Sequence, residues 1–177
     1  MKNFWAVFFL FALSLSGCGY TSKTILPENI KSIHVAPVQN TIDLSAESEE
    51  GSAYRTYRPG IEVNLTNEII NRFVFEGTLK VALPDKADAI VEAKIKDYRR
   101  DALRYTESDD IQEYRISLVA DVAVYTVADR KLLWQESLTG DSSFYLSGPR
   151  AVSEDEAAAK AVQDLARRIV ERTITLW

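Results

Sequence analysis

Glu113-Tyr114-Arg115-Ile116-Ser117-Leu118-Val119-Ala120-Asp121-Val122-Ala123-Val124-Tyr125-Thr126 is the stretch on which the reading of the whole chain turns. Tyr114, Ile116, Leu118, Ala120, Val122 and Val124 recur at every second position. Arg115, Ser117, Val119, Asp121, Ala123 and Tyr125 fill the alternate ones. Successive side chains of a strand leave opposite faces, so this period marks a strand with one face buried. The pattern continues on both sides. Upstream, Ala89 to Tyr98 alternates, with Ala89, Val91, Ala93 and Ile95 on one face and Glu92, Lys94 and Lys96 on the other. Downstream, the turn-like Ala128-Asp129-Arg130-Lys131 leads into Leu132 to Thr139 through Trp134 and Leu138, and strand character reaches Phe144-Tyr145. These segments predict an antiparallel meander. Tyr98-Arg99-Arg100 breaks the alternation, which predicts a bulge or a strand end leaving the helices' cover. Asp101 to Ile111 reads as a charged connection.

Two helices flank this block. In Ile61 to Glu76, Ile61, Leu65, Ile69 and Phe73 fall at fourth positions, and Ile70 and Val74 widen the stripe. Glu62 suits the first turn and Gly77 the stop. Ser153-Glu154-Asp155-Glu156 is a capping box, in which the hydroxyl serves an orphan amide and Glu156 reaches back. The helix it opens runs to about Thr173, with Ala158, Ala161, Val162, Leu165, Ile169 and Val170 on its apolar stripe. Its alanines allow close packing on a sheet. Before the first helix, Lys31 to Val38 reads as a strand with Ile33 and Val35 on one face. Pro37 ends its pairing or places it at an edge. His34, the one histidine, reads as a satisfied strand residue, because it has no ligand partners in sequence. Leu79 to Leu83 is a short strand. The order predicts an α+β fold: two helices packed on one face of a mixed, roughly four-stranded β-sheet. The first strand–helix–strand unit is then a right-handed parallel crossover.

The start of the chain is of another kind. Lys2 precedes an apolar run from Phe4 to Leu15, shorter than the roughly 18 residues of a membrane-spanning helix. Leu15-Ser16-Gly17-Cys18 follows, with small residues before a cysteine. This is a secretory leader ending in a lipobox-like sequence, so residues 1–17 are expected to be removed and Cys18 lipidated, with palmitate among the acyl groups. Each buried acyl methylene contributes about 0.8 kcal/mol, and two chains give stable anchoring. Gly19, where an Asp would favour the inner membrane, points to the outer one. Residues 18–29 then form a lipidated tether with Pro27, and 30–177 a single α+β domain. Asn40 to Gly60 reads as a long polar loop in which Tyr54, Tyr57, Arg55 and Arg58 either make a contact surface or lie flat on the domain.

Composition narrows the function. The net charge of −5 argues against a general nucleic-acid binder. Cys18 is the only cysteine, so no disulfide can form within the chain. There is no Gly-rich phosphate loop, CxxC, HExxH or GxSxG. No catalytic residue, metal ligand or cofactor is therefore expected, and the chain reads as a binding protein. Arg99, Arg100 and Arg104, interleaved with Tyr98 and Tyr105, are candidates for anion binding, as is Arg150. Guanidinium groups hold phosphates by paired hydrogen bonds. Ordinary surface charge balanced by Asp101, Glu107, Asp109 and Asp110 explains the same residues equally well.

An ordered set of residues resembles one family. Gly17-Cys18-Gly19-Tyr20 is followed by Leu26-Pro27, then by Ile33-His34-Val35-Ala36-Pro37-Val38-Gln39-Asn40. The helix around Leu65-Thr66, Ala87-Asp88-Ala89, Glu113-Tyr114-Arg115, Leu132-Leu133-Trp134 and the Ala-rich closing helix complete it. The chain resembles the LptE-type lipopolysaccharide-assembly lipoproteins of Gram-negative outer membranes over nearly all of its mature length. The resemblance implies a lipid-anchored protein on the periplasmic side of the outer membrane. It would partner and plug the LptD β-barrel and help move lipopolysaccharide to the outer leaflet. It also implies lipopolysaccharide binding at loops near one end of the sheet, here those holding Arg104 and Arg150. The long polar loop after the first strand departs from the family pattern. The rival expectation is a structural or accessory outer-membrane lipoprotein of another envelope complex.

Overall fold

A computed structural model describes residues 30–42 and 59–175. The leader, Cys18, the tether and most of the Asn40–Gly60 loop lie outside the described residues. The elements run β1 (Ser32–Val35), β2 (Gln39–Asn40), α1 (Ile61–Glu76), β3 (Lys80–Val81), β4 (Ala89–Tyr105), β5 (Ile111–Thr126), β6 (Leu132–Tyr145) and α2 (Glu154–Thr175). They form an α+β fold with a mixed sheet in the order β3-β1-β4-β5-β6, with β2 also beside β4. The meander β4-β5-β6 is antiparallel, as expected. β1 pairs in parallel with both β3 and β4, so the strand–helix–strand unit is a parallel crossover.

The sheet has six strands rather than roughly four. β3 falls within the short strand read over Leu79 to Leu83, and the strand outside the reading is β2, two residues whose pairing comes from its neighbour β4. Pro37 explains β2. It interrupts the strand, whose pairing with β4 stops at Val35 and resumes at Gln39. The freed Val38 N–H donates to Thr66 Oγ1 of α1 at 3.0 Å, so the break in the ladder is closed by the helix.

The larger correction concerns Asp101 to Ile111, which is not a charged connection. β4 continues to Tyr105 and β5 begins at Ile111, leaving a compact turn between them. In that turn Thr106 N–H donates to Asp110 O at 2.7 Å, and Thr106 Oγ1 accepts from the amides of Ser108 and Asp110. Register shifts at Lys96 and Leu103 hid the strand, because each extra residue moves the apolar phase by one. After the first shift Tyr98 pairs with Leu118 and returns to the buried face.

Ile116, Leu118, Ala120, Val122 and Val124 are buried, as their spacing predicts. Ser117, on the opposite face, is buried too, because its hydroxyl donates to Asp141 at 2.6 Å. In α1, Ile61, Leu65, Ile69 and Phe73 are buried, whereas Val74 is 67% exposed and does not widen the stripe. The helix ends at Gly77, whose φ of 69° suits a residue without Cβ and whose N–H donates to Phe73 O. All six stripe residues of α2 are buried. Its cap is half of a capping box. Ser153 Oγ accepts from Glu156 N–H, but the Glu156 carboxylate turns to Lys160 at 2.9 Å.

α2 packs along β6 and β5 and against α1, which also meets β3 and β1. The α2–β6 contact depends on Gly140. A Cβ there would lie 2.5 Å from both the Leu165 Cβ and the Leu165 backbone nitrogen. Only glycine allows so close an approach. Next to it, Asp141 N–H donates to Asp164 Oδ2 of α2 at 3.1 Å.

Candidate functional site

The four candidate arginines separate into three settings. Arg100 points to the side of the sheet on which its register partner Ile116 is buried. Its Nη1 meets Glu154 Oε2 at 2.7 Å and its guanidinium stacks over Tyr114 at 4.9 Å. It ties β4 to the start of α2. Arg99, one residue earlier, faces the other way and lies 3.2 Å from Asp97. With Ser117, Asp141 and the register row Asp101–Arg115–Ser143, it makes a mixed-charge sheet face.

Arg104 and Arg150 lie at the same end of the sheet, with Glu113 and Tyr145 between them. Arg104 is the register partner of Glu113, and Glu113 that of Tyr145. The Arg104 Nε lies 3.5 Å from Glu113 Oε2, and the Arg150 guanidinium stacks over the Tyr145 ring at 4.8 Å. Four residues, from three strands and the connection that follows them, thus form one row across the end of the sheet. The chain bends back there because Gly148 adopts a φ of 90°, Ala151 N–H donates to Gly148 O, and Ala151 pairs with Tyr145. Both arginines are exposed and Glu113 is buried between its neighbours. Leu103, Tyr105 and Leu146 expose large apolar surface at the same end. Sequence reading missed Glu113, Tyr145, Leu103 and Leu146. Only the strand register joins them, and the register rests on the bulge at Leu103.

An end with exposed cations beside exposed apolar groups suits an amphiphile with an anionic headgroup. Among the described residues no three of His, Cys, Asp and Glu gather as a metal would require. His34 Nδ1 lies 3.0 Å from Ala82 O and is held within the sheet. An open cleft of about 790 Å³ between α1 and α2 is lined by Pro59, Ile61, Asn64, Glu154 and Ala158 among others, and none of the four arginines lines it. Among the described residues no helix is long and apolar enough to cross a membrane.

Among the described residues three carboxylates ionise more readily than usual. Asp88 is held low first by the Ser32 hydroxyl, then by the Lys31 amide, with the Ser32 amide adding to them. Asp129 is held low by Thr126 and the Lys131 amide. For Asp164, burial opposes ionisation, but Arg167, the Asp141 amide and Arg168 outweigh it. All three fasten strands or helices, and none lies on the arginine row.

Fold and site together define a small α+β protein that presents charge and apolar surface side by side at one end of its sheet. Comparison with known proteins narrows this. The family model "Lipopolysaccharide-assembly", LptE, matches residues 30–173. The chain belongs to this family, and its role lies in lipopolysaccharide assembly. No curated protein matches it in sequence. Among solved structures, a hypothetical protein from Chlamydia trachomatis is similar at a TM-score of 0.52 and 20% identity, over 83% of this chain and 98% of that one. A protein from Xanthomonas campestris is similar at a TM-score of 0.55 and 12% identity, over 84% and 86%. At such identities the likeness is one of fold.

Proposed function

We propose that this protein is an outer-membrane lipoprotein, held on the periplasmic side by lipid on Cys18, that partners and plugs an LptD-type β-barrel and binds lipopolysaccharide. Family membership supports the assembly role, and the leader with its Leu15-Ser16-Gly17-Cys18 ending supports the anchor. In this reading α1 and α2 cover one face of the sheet. The other face, with Arg99, Asp101, Arg115 and Asp141, meets the wet interior of the barrel. The observation that supports lipopolysaccharide binding is the placement of Arg104 and Arg150 at one end of the sheet beside exposed Leu103, Tyr105 and Leu146. The arginines take the phosphates and the apolar side chains lie against the acyl part.

Arg104 also faces the buried Glu113. Reversing it to Glu would set two carboxylates together, so neutralisation is the cleaner test. Hydrogen bonds to charged groups contribute about 1.5–3 kcal/mol each. Arg104→Gln with Arg150→Gln should therefore weaken lipopolysaccharide binding by about tenfold or more, with a smaller salt dependence than the parent. Unchanged affinity removes this site from the proposal. Pull-down in mild detergent from lipopolysaccharide-making cells should recover a β-barrel. Recovery of a different envelope complex instead would favour the accessory role.

A further inference from the structure

The two ends of the sheet offer different charge to solvent. β4 is 17 residues long, so at about 3.3 Å per residue the ends stand about 50 Å apart. One end is the arginine row, with Glu107, Asp109 and Asp110 exposed in its turn. At the other, Lys80 N–H donates to Lys31 O at 3.0 Å, and Lys31 N–H donates to Asp88 Oδ2 at 2.9 Å. Val127 N–H donates to Asp88 O at 2.8 Å, and Tyr125 pairs with Leu132. The connection Leu83–Lys86 belongs to the same end, since Ser32 Oγ donates to Lys86 O at 3.4 Å. These contacts gather Lys31, Lys80, Lys86 and Lys131 from four separate segments, all exposed, with Leu83 and Leu132 exposed among them. Among the described residues no ion pair holds any of the four lysines. The neighbouring carboxylates are mostly engaged. Glu76 and Glu92 pair with Arg72 and Arg130. Asp88 turns to the amides of Lys31 and Ser32, and Asp129 to Thr126 and the Lys131 amide. What this end presents is therefore mostly ammonium, on a chain whose net charge is −5.

We infer that this end lies on an anionic bilayer surface, with its four lysines on phospholipid phosphates and Leu83 and Leu132 in the headgroup layer. The inference rests on the reading of Cys18 as the lipidated residue. Residues 18–29 then join the lipid to Ile30, which precedes Lys31 directly. That length of chain reaches about 40 Å at most, less than the sheet is long, so it roots the domain to the bilayer at the lysine end. Lysine suits such a surface better than it suits a protein partner. It is depleted at protein interfaces. Its flexible stem lies along apolar groups while the ammonium reaches a phosphate. Each lysine close to an anionic leaflet adds an attraction that fades within a Debye length. The arginine row, with its acidic turn, then faces away from that leaflet.

The test is acylation of lysines by a water-soluble reagent, read by mass spectrometry, on the lipidated protein. Lys96 and Lys160, exposed but further along β4 and α2, serve as internal references. Vesicles of phosphatidylcholine with phosphatidylglycerol should slow modification of Lys31, Lys80, Lys86 and Lys131 by about fivefold or more relative to the references. Phosphatidylcholine alone should not. Salt at about 1 M, where the Debye length falls to about 3 Å, should remove the effect. Lys80→Gln with Lys86→Gln should return Lys31 and Lys131 to the reagent at an unchanged unfolding midpoint. Should that variant fail to fold, the salt series on the parent decides. Equal modification of all these lysines on the anionic vesicles, or protection that neither salt nor the variant reduces, overturns the proposal. Flotation with phosphatidylcholine vesicles tests the anchor separately. A protein that floats there but shows no lysine protection on anionic vesicles keeps the anchor and loses the surface. One that shows the protection without floating on phosphatidylcholine keeps the surface and loses the anchor.

Discussion

The seam between α2 and β6 and the arginine row at the end of the sheet use the same strands to opposite ends. At Gly140 helix and strand meet backbone to backbone, with no room for a methyl group. At Arg104 and Arg150, with Leu103, Tyr105 and Leu146 beside them, the end of the sheet carries charge and apolar surface into solvent. Close packing leaves no freedom to adjust to a ligand, while exposed side chains contribute little to stability. The contrast teaches that stability and the proposed recognition are separable here, within a few residues of one strand.

The hardest break is at the core beneath the seam. Leu118 is fully buried and pairs with Gly140. Leu118→Asp should cost more than about 4 kcal/mol, since it buries a charge without a partner. The exposed Gln135→Asp should stay within about 0.5 kcal/mol. Urea denaturation separates the two, and equal midpoints would mean that the buried face has been misassigned. Gly140→Ala comes next, at about 3 kcal/mol, because its methyl group meets backbone as well as side chain.

Asp164 gives a gentler break with a pH signature. Its folded carboxyl titrates below the usual range, so its contribution is present above the unfolded value near pH 4 and is lost as pH falls through the folded value. Asp164→Asn should cost about 1–2 kcal/mol at neutral pH and flatten the loss of stability between about pH 5 and 2. A variant with the parent's acid limb would clear Asp164 of the role. The smallest stability effect belongs to the arginine row. Arg150→Gln should shift stability by less than about 0.5 kcal/mol while lowering lipopolysaccharide binding, which sharpens the comparison to one substitution.

How far each region could be read from sequence follows from its periodicity. The seam was legible, because α2 has an unbroken helical stripe and β5 an unbroken alternation from Tyr114 to Val124. The row was legible only as separate arginines. Leu103 is an extra residue in the ladder, and it made the end of β4 look like a charged connection. Arg99 and Arg100 were adjacent in sequence, yet a strand sends neighbours to opposite faces, so one joined the mixed-charge face and the other went to Glu154. Val74 fell outside the buried stripe because the sheet and α2 cover only the line through Ile61, Leu65, Ile69 and Phe73. β2 carries too few residues to show any period.

The Asp88 carboxylate bears on the order in which this chain assembles. One oxygen, Oδ2, receives the amides of Lys31 and Ser32 at 2.9 Å each and the Ser32 hydroxyl at 2.7 Å. These partners lie 56 and 57 residues apart in sequence, whereas β4, β5 and β6 are joined by short turns. Contacts between distant residues close a long loop before they return any stabilisation. A ribosome delivers β1 first, but β1 has no ladder to join until Asp88 and β4 have been made. The meander should therefore gain protection from amide exchange before β1 does, and the strand that emerges first should be among the last to dock.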